Sequence, residues 1–348
     1  MVHPIHANVV SWIVIVSLSC LLHGATGQLT FDFYKTACPN VDAIVANVTL
    51  ALSKRDNVVP PAVLRLYFHD CLVELSLTLY DLGWHWQGCD ASILISSTPT
   101  NVAERDAADN LSFPQNGFDA IVEAKKAVEA ACPAVVSCAD ILAMAARDVV
   151  VFSGGPRWAV PKGRRDGLIS RAARVEGRLP ASSFNVSQLI TLLATVNLSI
   201  EDLVVLSGAH TIGFSHCNQF SKRLYNFSSA AKTDPSLDPT LAASLKASCP
   251  QVGGSPNTVR GFDATTPLAF DNSYYRNLQN NRGLLVSDQA LALDKRTSPV
   301  VASLAASQED FFFAFMQAMV KLGYTGIKTG SQGEVRRDCR AFNARSNT

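Results

Sequence analysis

Arg65-Leu66-Tyr67-Phe68-His69-Asp70-Cys71 is the stretch from which the rest of the chain is read. On an α-helix, Arg65, Phe68 and His69 stand at i, i+3 and i+4 and share one face. A guanidinium is costly on the apolar side of a helix unless it has an anionic task. A neutral imidazole beside that fixed cation has a depressed pKa and stays available as a base. The pair suits a small polar oxidant held over a flat cofactor. The imidazole moves a proton between two bonded oxygens, and the cation stabilises the charge that builds up as their bond breaks. A lone histidine would be read as a core residue; Arg65, one turn earlier, displaces that reading. Zinc binding through His69 and Cys71 lacks a matching C-x-x-C or H-x-x-x-H partner.

A second run, Ser207-Gly208-Ala209-His210-Thr211-Ile212-Gly213, follows the apolar stretch Leu203-Val204-Val205-Leu206. His210 reads either as a helix-terminal histidine meeting the dipole or as a ligand beneath the cofactor. The small neighbours Gly208 and Ala209 let a flat group come close. A haem-ligating histidine needs its other nitrogen held by an acceptor, and Asp288, after Leu284-Leu285-Val286-Ser287, is the candidate. Two aspartate-rich sets suit Ca²⁺, which takes hard oxygen ligands: Asp70 with Asp90-Ala91-Ser92, and Thr211 with Asp263, Thr266 and Asp271. Loop aspartates are also ordinary turn formers.

The chain has 348 residues, 48% hydrophobic and 17% charged, with a net charge of +1. That is a soluble globular composition, and the charge argues against nucleic acid or an anionic membrane as partner. Val9 to Leu22 is a short apolar run followed by Gly24-Ala25-Thr26-Gly27, read as a secretory leader over residues 1–27. Its removal takes Cys20 and leaves eight cysteines, an even count that reads as four disulfides in an exported chain. Asn-x-Ser/Thr sequences at Asn47, Asn110, Asn185, Asn197 and Asn226 fit that compartment.

The body reads as helices joined by Pro/Gly-rich loops: Val41–Leu52, Ala62–Val73 with Pro61 in its first turn, Phe118–Ala131, and Cys138–Phe152 capped by Ser137. The last is apolar on nearly every side, as a central core helix is. Further helices are expected at Ser187–Val196, Glu201–Ser207, Asn272–Asn280, and Gln308–Leu322 stopped by Gly323. Strand signals are confined to Trp158–Val160 and Thr258–Phe262. The expected fold class is mostly α, in two lobes around a cleft.

Several long motifs in order make the resemblance specific. Beside the two histidine runs, the chain carries Gln87-Gly88-Cys89-Asp90-Ala91-Ser92-Ile93-Leu94, Val136-Ser137-Cys138-Ala139-Asp140-Ile141-Leu142-Ala143, Gly163-Arg164-Arg165-Asp166-Gly167 and Phe270-Asp271-Asn272-Ser273-Tyr274-Tyr275. Over residues 28–348 it resembles the secreted plant-type (class III) haem peroxidases. The resemblance implies a two-lobed helical domain with haem b between distal and proximal halves, and two Ca²⁺. It implies hydrogen peroxide and small phenolic donors as substrates, and a monomer in the cell wall or apoplast. His69 would be the distal acid/base, Arg65 the transition-state stabiliser, and Asn110 the acceptor that holds the His69 tautomer. His210 would ligate the iron with Asp288 as its partner, Phe68 and Phe262 would contact the cofactor, and Pro180 would line the donor opening. The distal Ca²⁺ would use Asp70, Val73, Gly88, Asp90 and Ser92; the proximal one Thr211, Asp263, Thr266, Ala269 and Asp271. The same analogy pairs Cys38–Cys132, Cys71–Cys89, Cys138–Cys339 and Cys217–Cys249, and makes Asp140 and Arg164 a buried structural ion pair.

One departure stands out. Residues 74–86, Glu74 to Trp86, are interposed where the family runs almost directly from the distal cysteine to the next glycine. Closing the longer Cys71–Cys89 loop constrains the unfolded chain by only about 1 kcal/mol more than closing a short one. Metal-site geometry is the greater concern, because Val73 and Gly88 no longer inherit their relative position from a tight loop. Such a segment is expected from unspliced sequence or a gene-model error, with an exposed hairpin or helix as the alternative. Transcript sequencing separates these: a message lacking codons 74–86 supports the artefact, and abundant message containing them refutes it.

Overall fold

The computed structural model describes residues 28–73 and 88–344. The expected leader 1–27 and the interposed segment 74–86 lie outside the described residues. The first helices are α1 (Val41–Arg55), α2 (Val59–Leu72), α3 (Gln115–Ala131) and α4 (Cys138–Phe152). They pack on one another as one lobe. In α4 the Ser137 hydroxyl caps the helix by accepting from the Asp140 N–H at 3.2 Å, and every residue from Cys138 to Val150 is buried. The periodicity argument therefore identified the core helix correctly. Pro60 and Pro61 occupy the first turn of α2, where no intrahelical N–H is lost.

The second lobe is built from α5 (Val186–Ala194), α6 (Ile200–Ser207), α9 (Ser273–Gln279), α10 (Val286–Leu293), α11 (Ser298–Ala306) and α12 (Gln308–Leu322). Asn185 and Ser199 open α5 and α6 with reciprocal capping boxes. Between α6 and α9 lie α7 (Ser221–Tyr225) and α8 (Pro239–Ser248), with a two-stranded antiparallel ribbon of β1 (Phe214–His216) and β2 (Val259–Gly261). The apolar cores of the two lobes are continuous, and a smaller cluster around Phe220, Leu224 and Leu245 lies beside them.

One local expectation is corrected. Trp158–Val160 forms no strand; the nearest pairing is an isolated bridge between Thr30 and Lys162. Gly323 stops α12 as expected, with φ −65°. Its small size also serves close approach, since a Cβ there would lie 2.6 Å from Tyr67 Oη and 2.7 Å from Arg164 Nη2.

All four disulfides follow the expected pairing, Cys38–Cys132, Cys71–Cys89, Cys138–Cys339 and Cys217–Cys249. The ion pair between Arg164 and Asp140 is buried at 2.9 Å. Asp140 also accepts from Tyr34 Oη at 2.8 Å, and Arg164 donates to the Gly323 carbonyl at 2.6 Å. Burial, and next the Asp140 charge, push the Tyr34 phenol far up, so it remains a donor. Asp140→Ala strands a buried guanidinium and is expected to lower stability by about 3–5 kcal/mol, read in urea unfolding with the disulfides intact.

Candidate active site

The helical register of α2 does what its spacing predicts. Arg65 Nε donates to His69 Nε2 at 3.2 Å, one turn away. That assigns the ring: Nε2 is the acceptor, and Nδ1–H donates to Asn110 Oδ1 at 2.7 Å. The Asn110 amide is oriented in turn by donating from Nδ2 to the Glu104 carbonyl at 2.8 Å. Both ends of the Asn110 side chain are thus used in a buried position, so its sequon is not open to a glycan in the folded chain. Burial and then the Arg65 charge hold His69 well below the usual imidazole pKa, against the weaker pull of Asn110. Burial also lowers Arg65 to about 10, so at neutral pH the pair is a free base beside a cation.

Two residues that shape this pair were not anticipated. Arg65 Nη1 donates to Ser112 Oγ at 3.0 Å and Nη2 to the Asp109 carbonyl at 3.1 Å. The guanidinium also lies 4.2 Å over the Phe113 ring, whose edge faces His69 at 4.9 Å. Phe68, half-buried, packs 6.2 Å from the His69 ring. No local pattern marks Ser112 or Phe113, because the loop that carries them meets α2 only in three dimensions.

On the proximal side His210 Nδ1–H donates to the buried Asp288 Oδ1 at 2.8 Å. The His210 side chain keeps 36% exposure. Among the described residues no hydrogen-bond partner meets its Nε2. Phe262 stacks on the ring at 4.1 Å with an interplanar angle of 1°. Asp288 is the third residue of α10, and the Leu285 N–H reaches its Oδ2 at 3.3 Å. Tyr274, unforeseen, donates to Asp288 Oδ1 at 3.0 Å. A Cβ on Gly208 would fall 2.3 Å from Tyr275 Oη and 2.6 Å from Phe311, so its small size serves core packing.

The elements carrying the two histidines meet. Gly213, at φ +103°, would place a Cβ 2.8 Å from Pro61 Cβ. His69 lies eight residues farther along α2, about 12 Å at 1.5 Å per residue. Pro180 sits half-buried on a loop next to α10, where the Ser287 N–H donates to the Ser182 carbonyl at 3.0 Å.

Both oxygen-rich sets converge in their described parts. Thr211 Oγ1 meets the Ala269 carbonyl at 3.3 Å and Asp271 Oδ1 at 3.4 Å, and Thr266 Oγ1 meets the same Asp271 oxygen at 3.2 Å. Asp263 Oδ1 takes the Thr265 and Thr266 N–H groups at 2.6 and 2.9 Å, while its Oδ2 is buried without a hydrogen-bond partner. Burial pushes the Asp263 carboxyl up.

In the distal set Asp70 accepts from the Ala91 and Ile93 N–H groups at 2.8 and 3.3 Å, and Asp90 Oδ1 from the Ser92 N–H at 3.1 Å. Lys328 Nζ meets Asp90 Oδ2 at 2.9 Å. Glu104, also unforeseen, accepts from Ser92 Oγ at 2.9 Å, and its other oxygen is buried without a hydrogen-bond partner. Burial, then the neighbouring carboxylates, push Asp70 and Glu104 well up. Val73 and Gly88 flank the undescribed segment. A Cβ on Gly88 would lie 2.4 Å from the Thr325 carbonyl, so its smallness also serves that contact. Among the described residues no three His, Cys, Asp or Glu side chains form a ready-made metal group. Any cation here would therefore draw on hydroxyl and main-chain oxygens as well as aspartates. The orphaned oxygens of Asp263 and Glu104 fit such an ion.

Comparison with known proteins bears directly on this arrangement. A family model described as peroxidase matches residues 45–307. Peroxidase 51 of Arabidopsis thaliana is 47% identical over 95% of this chain and 97% of its own length. Peroxidase 55 of the same plant is 46% identical over 95% of this chain and 96% of its own length. With this likeness covering both histidine-bearing lobes, the chain belongs to the peroxidase family, as a plant-type (class III) peroxidase.

Proposed function

We propose that the chain is a secreted peroxidase that reduces hydrogen peroxide through His69 and Arg65 and oxidises phenolic or other aromatic donors by successive one-electron steps. One observation carries the reading: each of the two histidines has Nδ1 tied to a buried acceptor, which leaves Nε2 for chemistry. The family implies haem and typically calcium. Here the assignment is haem b on His210, with Phe68 and Phe262 contacting it, and two Ca²⁺ in the oxygen-rich sets. The free Nε2 of a half-exposed imidazole whose other nitrogen faces a carboxylate is the donor that iron requires. When bound, the haem iron supplies the site for one peroxide oxygen and stores the oxidising equivalents.

The protein's own groups handle the protons. His69 Nε2 takes the proton of the nearer peroxide oxygen and delivers it to the farther one, which leaves as water. Arg65 donates toward the negative charge that grows on the leaving oxygen. Peroxide bound here takes over the Nε2 lone pair that Arg65 Nε meets at 3.2 Å. Asn110 keeps Nδ1 protonated throughout, and Pro180 borders the opening where donors arrive. The net change is one peroxide and two donors to two waters and two donor radicals. The setting is extracellular and the unit a monomer, without nucleic acid or membrane as partner after leader removal. Among the described residues no helix is long and apolar enough to cross a membrane. A peroxidase-like secreted glycoprotein, its activity impaired because the 74–86 segment disrupts the distal calcium site, is the other reading. Against it, Asp70 still binds the Ala91 and Ile93 N–H groups across the Cys71–Cys89 bridge.

His69→Leu is expected to slow reaction with peroxide by about 10²–10⁴-fold and Arg65→Leu by about 10²–10³-fold, with the Soret band retained. Because neutral His69 is the active base and its pKa lies well below 6.5, the peroxide rate holds as pH falls through 6.5. It drops only once His69 protonates. Removing the Arg65 cation raises that pKa and moves the acid limb upward. Stopped-flow rates across pH check both, and an unchanged rate in His69→Leu would sink the assignment.

Calcium is tested by chelation. EDTA is expected to lower the thermal midpoint, since an ion at about 100 times its Kd stabilises by about 2.7 kcal/mol. Asp263→Ala is expected to remove part of that EDTA-sensitive increment.

A further inference from the structure

We propose that Tyr274 is a positioning residue of the proximal pair: its hydroxyl shares the Asp288 oxygen that holds His210, and so limits how strongly the carboxylate draws on the imidazole proton. The inference rests on His210 being the iron's ligand.

Asp288 Oδ1 accepts from His210 Nδ1–H at 2.8 Å and from Tyr274 O–H at 3.0 Å. Its second oxygen has the Leu285 N–H at 3.3 Å. The carboxylate and Tyr274 are both buried, so water does not dilute these bonds. Two donors on one oxygen compete for its charge. Whatever density the phenol engages is withheld from the imidazole N–H, and in a low-dielectric setting that competition is felt strongly. A ligand histidine is made more basic by a stronger acceptor on its far nitrogen. Tyr274 therefore acts as a brake on the imidazolate character of His210. Burial, and next the Asp288 charge, push the Tyr274 phenol well above its usual value, so it stays protonated and donates at any working pH.

The neighbouring tyrosine provides an internal comparison. Tyr275 is equally buried on the same helix, and its hydroxyl meets the Val204 and Val205 carbonyls, each at 3.1 Å, rather than Asp288. The two rings stand edge-on at 5.1 Å, so they share one packing environment but differ in the acceptor they engage.

The test uses the haem-loaded protein. Tyr274→Phe is expected to lower the ferric/ferrous midpoint by about 30–60 mV, roughly a threefold to tenfold change at 59 mV per decade for one electron. It is also expected to raise the frequency of the histidine-isotope-sensitive iron–histidine stretch. Tyr274→Met also lacks the donor and fills the space with a flexible chain, and is expected to move both readouts the same way. Tyr275→Phe is expected to move neither. A band and midpoint unmoved in both Tyr274 variants overturn this inference alone, as do equal shifts in Tyr275→Phe, which would indicate general loosening of the core. Absence of any histidine-sensitive band in the unsubstituted protein overturns the ligation reading, and this inference with it.

Discussion

The restraint of two imidazoles at Nδ1 is the constraint on which the site depends. A neutral histidine has one donor and one acceptor nitrogen, and only a fixed partner decides which is which. His69 donates its Nδ1–H to a neutral amide, Asn110; His210 donates its Nδ1–H to a carboxylate, Asp288. The difference separates two chemistries available to one residue type. An amide fixes the ring without much raising its basicity, and burial with Arg65 then keeps His69 a weak, unprotonated base. A carboxylate enriches the ring, as a metal ligand requires. Each acceptor is itself held, Asn110 by the Glu104 carbonyl and Asp288 by Leu285 and Tyr274.

Buried charge also ties the distal loop at Asp90 and Ala91 to the far end of the chain. Arg336, fully buried, donates to the Asp90 and Ala91 carbonyls at 3.1 and 2.8 Å and to the Cys339 carbonyl at 2.7 Å. Lys328 meets the Asp90 carboxylate. The C-terminal segment thereby fixes the distal loop that follows the undescribed residues, and Cys138–Cys339 anchors that segment to the start of the core helix. Much of the loop's position therefore comes from the chain's far end.

Local periodicity made much of this legible. The i, i+4 spacing of Arg65 and His69 is a property of seven residues, and the hydrogen bond between them follows once that segment is helical. Ser137 before an apolar run announced α4 with the observed bounds. Some short helices, such as Pro239–Ser248 and Ser298–Ala306, lacked a clear period and went unread, while Trp158–Val160 carried strand-favouring residues into an irregular loop. Ser112, Phe113, Glu104, Tyr274 and Lys328 were missed for another reason. Each is an ordinary residue locally. Lys328 stands 238 positions from the aspartate it meets, and nothing nearby in sequence distinguishes it from a solvated lysine.

The sequence by itself determined which chemical groups are present and which share a helix face, because side-chain direction along a helix is fixed by backbone geometry. It also carried the motifs from which the family and the disulfide pairing were inferred. Only the tertiary structure decided which acceptor each imidazole faces, which carboxylates crowd together and which glycines leave room for a packed neighbour. Those outcomes depend on contacts between residues far apart in the chain, where spacing carries no information and burial sets the strength of every charge.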